Sequence, residues 1–258
     1  MSEYTKHEPG TFSWVELGTT DQAGAKAFYT ELFGWSFNDS EMEPGNFYTM
    51  FMLRNKPVAA GYKMGERMAG IPPHWLCYVT VASADDAARK VTELGGKVMM
   101  APFDVMTYGR MTVVQDPTGA TLALWEAREH IGVGIRNEPS SIVWSELLTG
   151  DTAAASKFYT GLFGWRAEER NMGTMTYTAF WKGEERVGGM MPLSPEMGQL
   201  PPHWVTYFGS QDVDATAERA KSMGGKVMAP PFDVPGIGRF AWLTDPQGAS
   251  FCLAKFAM

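Results

Sequence analysis

The chain has 258 residues, a formal net charge of −7, 45% hydrophobic and 20% charged residues, a composition that excludes a disordered, collagen-like or coiled-coil protein. The length allows one or two domains, each with its own core. The acidic balance, with no basic tract, excludes a nucleic-acid backbone as partner, because phosphate binding needs clustered Lys and Arg. No apolar run approaches the roughly 18 residues of a membrane span, and the opening MSEYTKHEPG has no apolar signal core. The expectation is a cytoplasmic protein without membrane contact. The two cysteines, Cys77 and Cys252, fall at non-equivalent places in the repeat described next, which excludes a disulfide framework or a four-cysteine zinc site.

The chain repeats itself. Residues 14–35 (WVELGTTDQAGAKAFYTELFGW) align with residues 144–165 (WSELLTGDTAAASKFYTGLFGW) with 14 identities in 22 positions. After a one-residue slip, PPHW, GGKVM, PFDV, GR and DPxGA recur at an offset of 129. A repeat of this kind governs the whole fold, and the expected domains are 1–135 and 136–258, linked near Asn137-Glu138-Pro139-Ser140.

Within the first copy, alternation over Phe12 to Gly18 predicts a strand. Asp21 then suits a helix N-cap, Ala25, Phe28, Tyr29, Leu32 and Phe33 share one helical face, and Gly34 suits a left-handed end. Strands follow near Ser36 to Asn38 and, as a pair broken at Arg54-Asn55-Lys56-Pro57, across Tyr48 to Lys63. A strand at His74 to Ala82 leads into Ser83-Ala84-Asp85-Asp86, which resembles a capping box, and a helix that stops at Gly95-Gly96. Three strands close the copy, separated by a loop at Ala101 to Gly109 and a turn at Asp116-Pro117-Thr118-Gly119. Each copy is thus two βαβββ units.

This order of elements, with AFYTELFGW on the first helix and the closing DPTGA turn, resembles the vicinal oxygen chelate superfamily, which includes glyoxalase I, bleomycin-resistance proteins and extradiol dioxygenases. The tandem layout is similar to its two-domain, glyoxalase-like branch. The resemblance implies an α+β fold in which each copy's two βαβββ units form a curved mixed sheet around an open cleft. Fold alone does not assign chemistry.

The resemblance also implies a divalent metal held by a His or Gln on the first strand, a Glu on the fourth, a His on the fifth and a Glu on the last. Those positions fall here on Trp14 and Trp144, on the carboxylate-free stretches Val58 to Lys63 and Val187 to Pro192, on Leu76 and Val205, and on Ala123 and Cys252. Only Cys252 can ligate, and one thiol makes neither a hard-cation site nor a catalytic zinc site. The expectation is that no metal cofactor is used.

Strand alternation places Phe12, Trp14, Glu16 and Gly18, then His74, Leu76, Tyr78 and Thr80, then Thr121, Ala123 and Trp125 on the concave face. The second copy gives Ile142, Trp144 and Glu146, then His203, Val205 and Tyr207, then Ser250, Cys252 and Ala254, a cleft expected to be more open at its end. Glu16 and Glu146 are candidate general bases, since burial among aromatic rings raises a carboxyl pKa. The competing expectation is an ion pair to Arg110 or Arg239. Asp104 and Asp233, in the PFDV segments near the cleft mouth, either contact a ligand or, as favoured, cap a turn. His74 and His203 either hydrogen-bond at a strand start or join the Glu in a displaced metal site. Trp14, Tyr78, Trp125, Trp144 and Tyr207 are candidate ligand-stacking residues, and Cys252 is a cleft residue read as an inert thiol.

Three functions are compatible with this pattern. The leading one is metal-free binding of a small aromatic or carbonyl-bearing molecule, with enolisation by Glu16 or Glu146 and oxyanion support from His74 or Arg110 as its catalytic extension. The others are a metal-dependent lyase or dioxygenase with displaced ligands, and a protein-interaction scaffold. The two copies are expected to pair within the chain, giving a monomer.

Overall fold

The computed structural model describes residues 3–173, 175–194, 197 and 199–257; Met1 and Ser2 of the opening decapeptide lie outside them. The first copy runs β1 (Phe12–Thr19), α1 (Gln22–Phe33), β2 (Ser36–Glu43), β3 (Asn46–Leu53), β4 (Lys56–Lys63), β5 (His74–Thr80), α2 (Ala84–Glu93), β6 (Lys97–Val105), β7 (Gly109–Gln115) and β8 (Thr121–Ala127). The second runs β9 (Ile142–Thr149), α3 (Thr152–Phe163), β10 (Arg166–Asn171), β11 (Thr176–Lys182), β12 (Glu185–Pro192), β13 (His203–Gly209), α4 (Val213–Ser222), β14 (Lys226–Val234), β15 (Gly238–Thr244) and β16 (Ser250–Phe256). Each copy builds one mixed eight-stranded sheet, in the order β2-β3-β4-β1-β5-β8-β7-β6 and its equivalent β10-β11-β12-β9-β13-β16-β15-β14. No helix among the described residues is long and apolar enough to cross a membrane.

The helices begin and end where their sequences direct. Asp21 accepts from Gly24 N at 3.0 Å, Ser83 from Asp86 N at 3.2 Å, Asp151 from Ala154 N at 2.9 Å and Asp212 from Ala215 N at 3.0 Å, each satisfying an orphan first-turn amide. The loop expected at Ala101 to Gly109 is instead strand as far as Val105. Its bulges after Val98 and Met100 absorb the Pro102 ring, which cannot donate to a regular ladder.

One face of each sheet is covered by its helices and by the other copy. Cys77 Sγ lies 3.3 Å from Thr206 Oγ1, and Phe12 packs its ring against Trp165 and Trp204, with centroids 5.8 and 4.8 Å apart. Helix α1 packs on α4 and α2 on α3, so each copy's helices lie against the other's. The register of β1 shifts between Phe12 and Trp14, and that of β9 at Ile142. These bulges turn Phe12 and Ile142 onto the inner face, correcting their expected place in the clefts.

The two copies are joined by a reciprocal polar lock. Tyr29 Oη donates to Asp245 Oδ2 at 3.0 Å while accepting from Trp75 Nε1 at 3.0 Å. Tyr159 Oη donates to Asp116 Oδ2 at 2.9 Å while accepting from Trp204 Nε1 at 2.8 Å. The Oδ1 atoms accept from three backbone amides each, those of Thr118, Gly119 and Ala120 and of Gln247, Gly248 and Ala249. Trp35 Nε1 and Trp165 Nε1 add crossed bonds to Ser140 O and Gly10 O, both at 2.8 Å. Replacing Tyr159 with Phe leaves the Trp204 indole and one Asp116 oxygen buried without this partner. The expected cost is about 1–3 kcal/mol of unfolding free energy, read from urea denaturation, with Tyr29→Phe giving a similar loss.

Candidate functional site

The outer face of each sheet, turned away from the other copy, carries a carboxyl group at its centre. Cα pairing sets Trp14 beside Tyr78, Glu16 beside Leu76 and Gly18 beside His74 across β1 and β5, with Tyr78 beside Ala123 on β8. On the other flank Glu16 lies beside Ala60 and Gly18 beside Tyr62, and β3 brings Tyr48 next to Tyr62. Glu16 Oε2 accepts from Tyr78 Oη at 2.7 Å, and Tyr48, itself hydrogen-bonded to Trp14, also bonds the carboxyl.

The second copy repeats this cluster. Glu146 accepts a short hydrogen bond from Tyr207 Oη, bonds Tyr177, and Tyr177 Oη accepts from Trp144 Nε1 at 3.1 Å. Tyr48, Tyr62 and Tyr177 are site residues that sequence reasoning missed. For Tyr48 and Tyr177 a signal was available, since each is a Tyr at the same place in the repeat, whereas Tyr62, whose counterpart is Met191, had none.

The carboxyls have aromatic partners rather than cations. Burial raises the pKa of Glu16 and of Glu146, and the phenol hydrogen bonds oppose that rise. Tyr78 and Tyr207 are pushed well above the ordinary phenol range, chiefly by burial, so they remain hydrogen-bond donors.

Neither expected ion pair forms. Arg110 donates to both oxygens of Asp85 at 2.7 and 3.0 Å and to Asp104 at 3.2 Å, and Arg239 does likewise to Asp214 at 2.6 and 2.7 Å and to Asp233 at 2.9 Å. Both arginines precede an outward-facing residue on their strands, so alternation turns them to the helix side, where the first turns of α2 and α4 supply the aspartates. Asp104 and Asp233 therefore serve these pairs rather than turns.

His74 and His203 stay at the strand starts, with Nδ1 at 2.9 Å from Pro72 O and 2.8 Å from Pro201 O. Burial lowers the pKa of His203. At the far end of the first face the chain returns after β8, and Trp125 Nε1 donates to His130 O at 2.8 Å. The His130 ring stands edge-on to Trp14 with centroids 4.6 Å apart, and burial pushes its pKa down to about 4. Gly132 makes this return possible, because its φ of +108° disfavours a side chain and a Cβ there would collide with Ser13 O. In the second copy Phe256, itself exposed, stands edge-on to Trp144 with centroids 6.3 Å apart, and Trp144 and Tyr207 are half-buried where Trp14 and Tyr78 are buried, so that end is the more open of the two.

The metal positions implied by the fold do not fit a divalent ion. Trp14, Leu76, Ala123, Trp144 and Val205 offer no donor, and the Cys252 thiol is pushed well up by burial and by Glu146. Among the described residues no three His, Cys, Asp or Glu side chains gather as a ligand set, and the displaced site of Glu16 with His74 gains no third ligand. Cavities of about 370 and 540 Å³ lie elsewhere, one by Pro235 and Phe256, the other between α1 and the Pro246 turn. Neither is lined by Glu16 or Glu146.

Fold, duplication and face geometry define a class. The chain belongs to the Glyoxalase/Bleomycin resistance protein/Dioxygenase superfamily, whose model matches residues 11–124 and again 141–253. It is similar to "Putative glyoxylase CFP32" of Mycobacterium tuberculosis (strain CDC 1551 / Oshkosh), 42% identical over 99% of this chain and 98% of the relative. It is also similar to "Anthracycline biosynthesis protein DnrV" of Streptomyces peucetius, 35% identical over 97% and 95%. Among solved structures, the Mn(II)-bound glyoxalase from Novosphingobium aromaticivorans shares the fold, with a TM-score of 0.68 at 16% identity, covering 100% of this chain and 85% of that one.

The raised carboxyl pKa values set a pH dependence. A carboxyl whose pKa is higher in the folded than in the unfolded chain contributes stability that is full below the unfolded value, about 4.3, and lost as pH rises through the folded one. The Glu16→Gln, Glu146→Gln double variant lacks both titrations. Urea titrations at about pH 4 and about pH 8 should show the native chain losing more stability between the two than the variant, when each is compared with itself.

Proposed function

We propose that this protein binds a small, flat organic molecule bearing a carbonyl or phenol oxygen, on the glutamate and tyrosine cluster of its outer sheet face, and does so without a divalent metal. The observation that carries the reading is the Glu16 cluster itself. A half-buried carboxyl held by neutral phenols, beside the half-buried rings of Tyr48 and Tyr62, offers hydrogen bonds and aromatic contact, while the superfamily's metal positions, Cys252 apart, hold side chains that cannot ligate. The relative named for anthracycline biosynthesis supports an aromatic, oxygen-rich ligand, and the relative named as a glyoxylase supports a carbonyl-bearing one. In this reading the protein works in the cytoplasm as a monomer, its paired copies replacing a dimer.

The chemistry available on this face is proton transfer. A carboxyl whose pKa is raised by burial is better matched to take a proton near neutral pH. Where the bound molecule has an acidic C–H beside its carbonyl, Glu16 removes that proton and the C–H electron pair moves into the carbonyl, leaving an enolate oxygen. Tyr62, whose hydroxyl has Met68 Sδ at 3.5 Å as its partner, is the donor placed to receive it.

A titration with 1,4-dihydroxyanthraquinone, a flat phenolic quinone, tests the binding class. Micromolar binding that Glu16→Gln or Tyr78→Phe weakens about ten-fold, equivalent to about 1.4 kcal/mol, is the expected outcome. Thermal shifts with added manganese, nickel, zinc and iron test the metal-free part, for which no stabilisation is expected. Near-stoichiometric metal in protein purified without chelator or affinity tag would overturn that part and make lyase and dioxygenase assays the next step.

A further inference from the structure

We infer that the groove between α1 and the Pro246-Gln247 turn is a second binding site, which takes an organic ammonium ion carried on an apolar, ring-sized body. The groove has a volume of about 540 Å³, within the range of small-molecule sites. One wall is a single stripe of α1, formed by Gly24, Ala27, Phe28 and Glu31, which are spaced as neighbours on a helix face. The opposite wall comes from the other copy, from Met223 at the end of α4 and from the turn itself. The site therefore exists only when the two copies are paired.

The repeat supplies a comparison, because α3 meets the turn of the first copy at an equivalent seam, where Tyr159 bonds Asp116. There Gly161 stands in place of Glu31, Lys157 in place of Ala27, Ala154 in place of Gly24, Leu94 in place of Met223 and Thr118 in place of Gln247. A Cβ on Gly161 would lie 2.8 Å from Leu94 Cδ2, so the leucine occupies the space that a side chain there would need. The first seam instead carries an acid at this place and an alanine where the second has its lysine. It gains a negative charge and loses a positive one.

The chemistry of the groove fits a cation with an apolar body. Glu31 is exposed and, among the described residues, has no ion-pair partner. Arg219, which reaches α1 from α4, donates to Leu32 O instead. Gln247 Oε1 is shielded from solvent without a hydrogen-bond partner, an arrangement that costs free energy until a donor is supplied. The Thr118 hydroxyl, by contrast, is satisfied by Asp116 Oδ1 at 2.7 Å. The Gln247 amide reaches its position because Gly24 has no side chain, since a Cβ there would come within 2.9 Å of Gln247 Nε2. Its last torsion is soft, so rotation of the amide turns the unpaired oxygen into the groove. Phe28 and Met223 form the floor, a ring and a thioether that both pack well on aromatic groups. An ammonium has donors for the glutamate and the amide oxygen together, while its apolar body covers that floor.

Tryptamine tests the site, with tryptophol, which has a hydroxyl in place of the ammonium, as its neutral control. Calorimetric titration of the whole chain at neutral pH should give tryptamine binding with a Kd of about 0.1 mM, well within the ceiling for a ligand of this size, and binding of tryptophol at least about ten-fold weaker. Glu31→Gln should weaken tryptamine about ten-fold, and Ala27→Lys, which copies the second seam, should abolish its binding. Both positions are exposed, so each variant is expected to keep the native urea midpoint.

Tryptamine could instead find the outer-face glutamates, and the Glu16→Gln, Glu146→Gln double variant separates the two places. It should bind tryptamine as the native chain does. Loss of binding in that variant would overturn the inference, as would tryptophol binding as tightly as tryptamine, unchanged affinity in Glu31→Gln, or binding that survives Ala27→Lys. Absence of binding at millimolar tryptamine would overturn it as well.

Discussion

A phenol suspended between an indole and a carboxylate of the other copy is the interaction on which the rest of this structure depends. Asp116 and Asp245 each accept three amides of their own turn with one oxygen, and the other oxygen would be buried and unpaired were the opposite helix not there. The tyrosine that reaches it is held in turn by an indole from its own fifth-strand position. A buried carboxylate without partners costs several kcal/mol, so neither copy satisfies its turn alone. The pairing occurs twice with the roles exchanged, which locks the copies back to back and occupies both inner faces. The outer faces are left without the other copy against them.

The outer-face glutamates show a second way to bury a carboxyl. A guanidinium nearby would lower the pKa and fix the charge, whereas phenols and an indole satisfy the oxygens without opposing the desolvation by a full charge. Such a group is held less firmly in its charged form than one paired with a cation. The arginines that suited this role in sequence were taken by the nearer acids at the helix starts. Those pairs are partly exposed, with the Arg110 and Asp85 side chains 24% and 49% accessible, so they orient hairpins against helices and contribute little net stability.

Much of this was legible in the sequence. The repeat fixed the number of sheets, the N-caps at Asp21 and Ser83 carried the helix starts, and strand alternation gave the faces of Trp14, Glu16, Tyr78 and their partners. What stayed illegible has physical causes. A bulge at Phe12 reverses the face of every residue on its far side while leaving the alternating pattern intact. The partner of Arg110 is chosen by which helix turn lies within reach, and that depends on how α2 crosses the sheet. His130 reaches the first face only through a chain reversal at Gly132, far from any strand pattern, and Tyr48 belongs to a strand whose pairing with β4 had to be known before its hydroxyl could be set beside Glu16.

Duplication explains why the two faces can differ so far while the inner packing stays so similar. The lock needs Tyr29 and Tyr159, Trp75 and Trp204, and both turn aspartates at once, because losing one member strands polar groups contributed by both copies. The outer faces carry no such reciprocal demand. A glycine that becomes Leu148, an alanine that becomes Cys252 and an alanine that becomes Gly189 alter only their own face. The inner packing is therefore constrained by both copies at once, whereas each outer face is constrained only by its own strands.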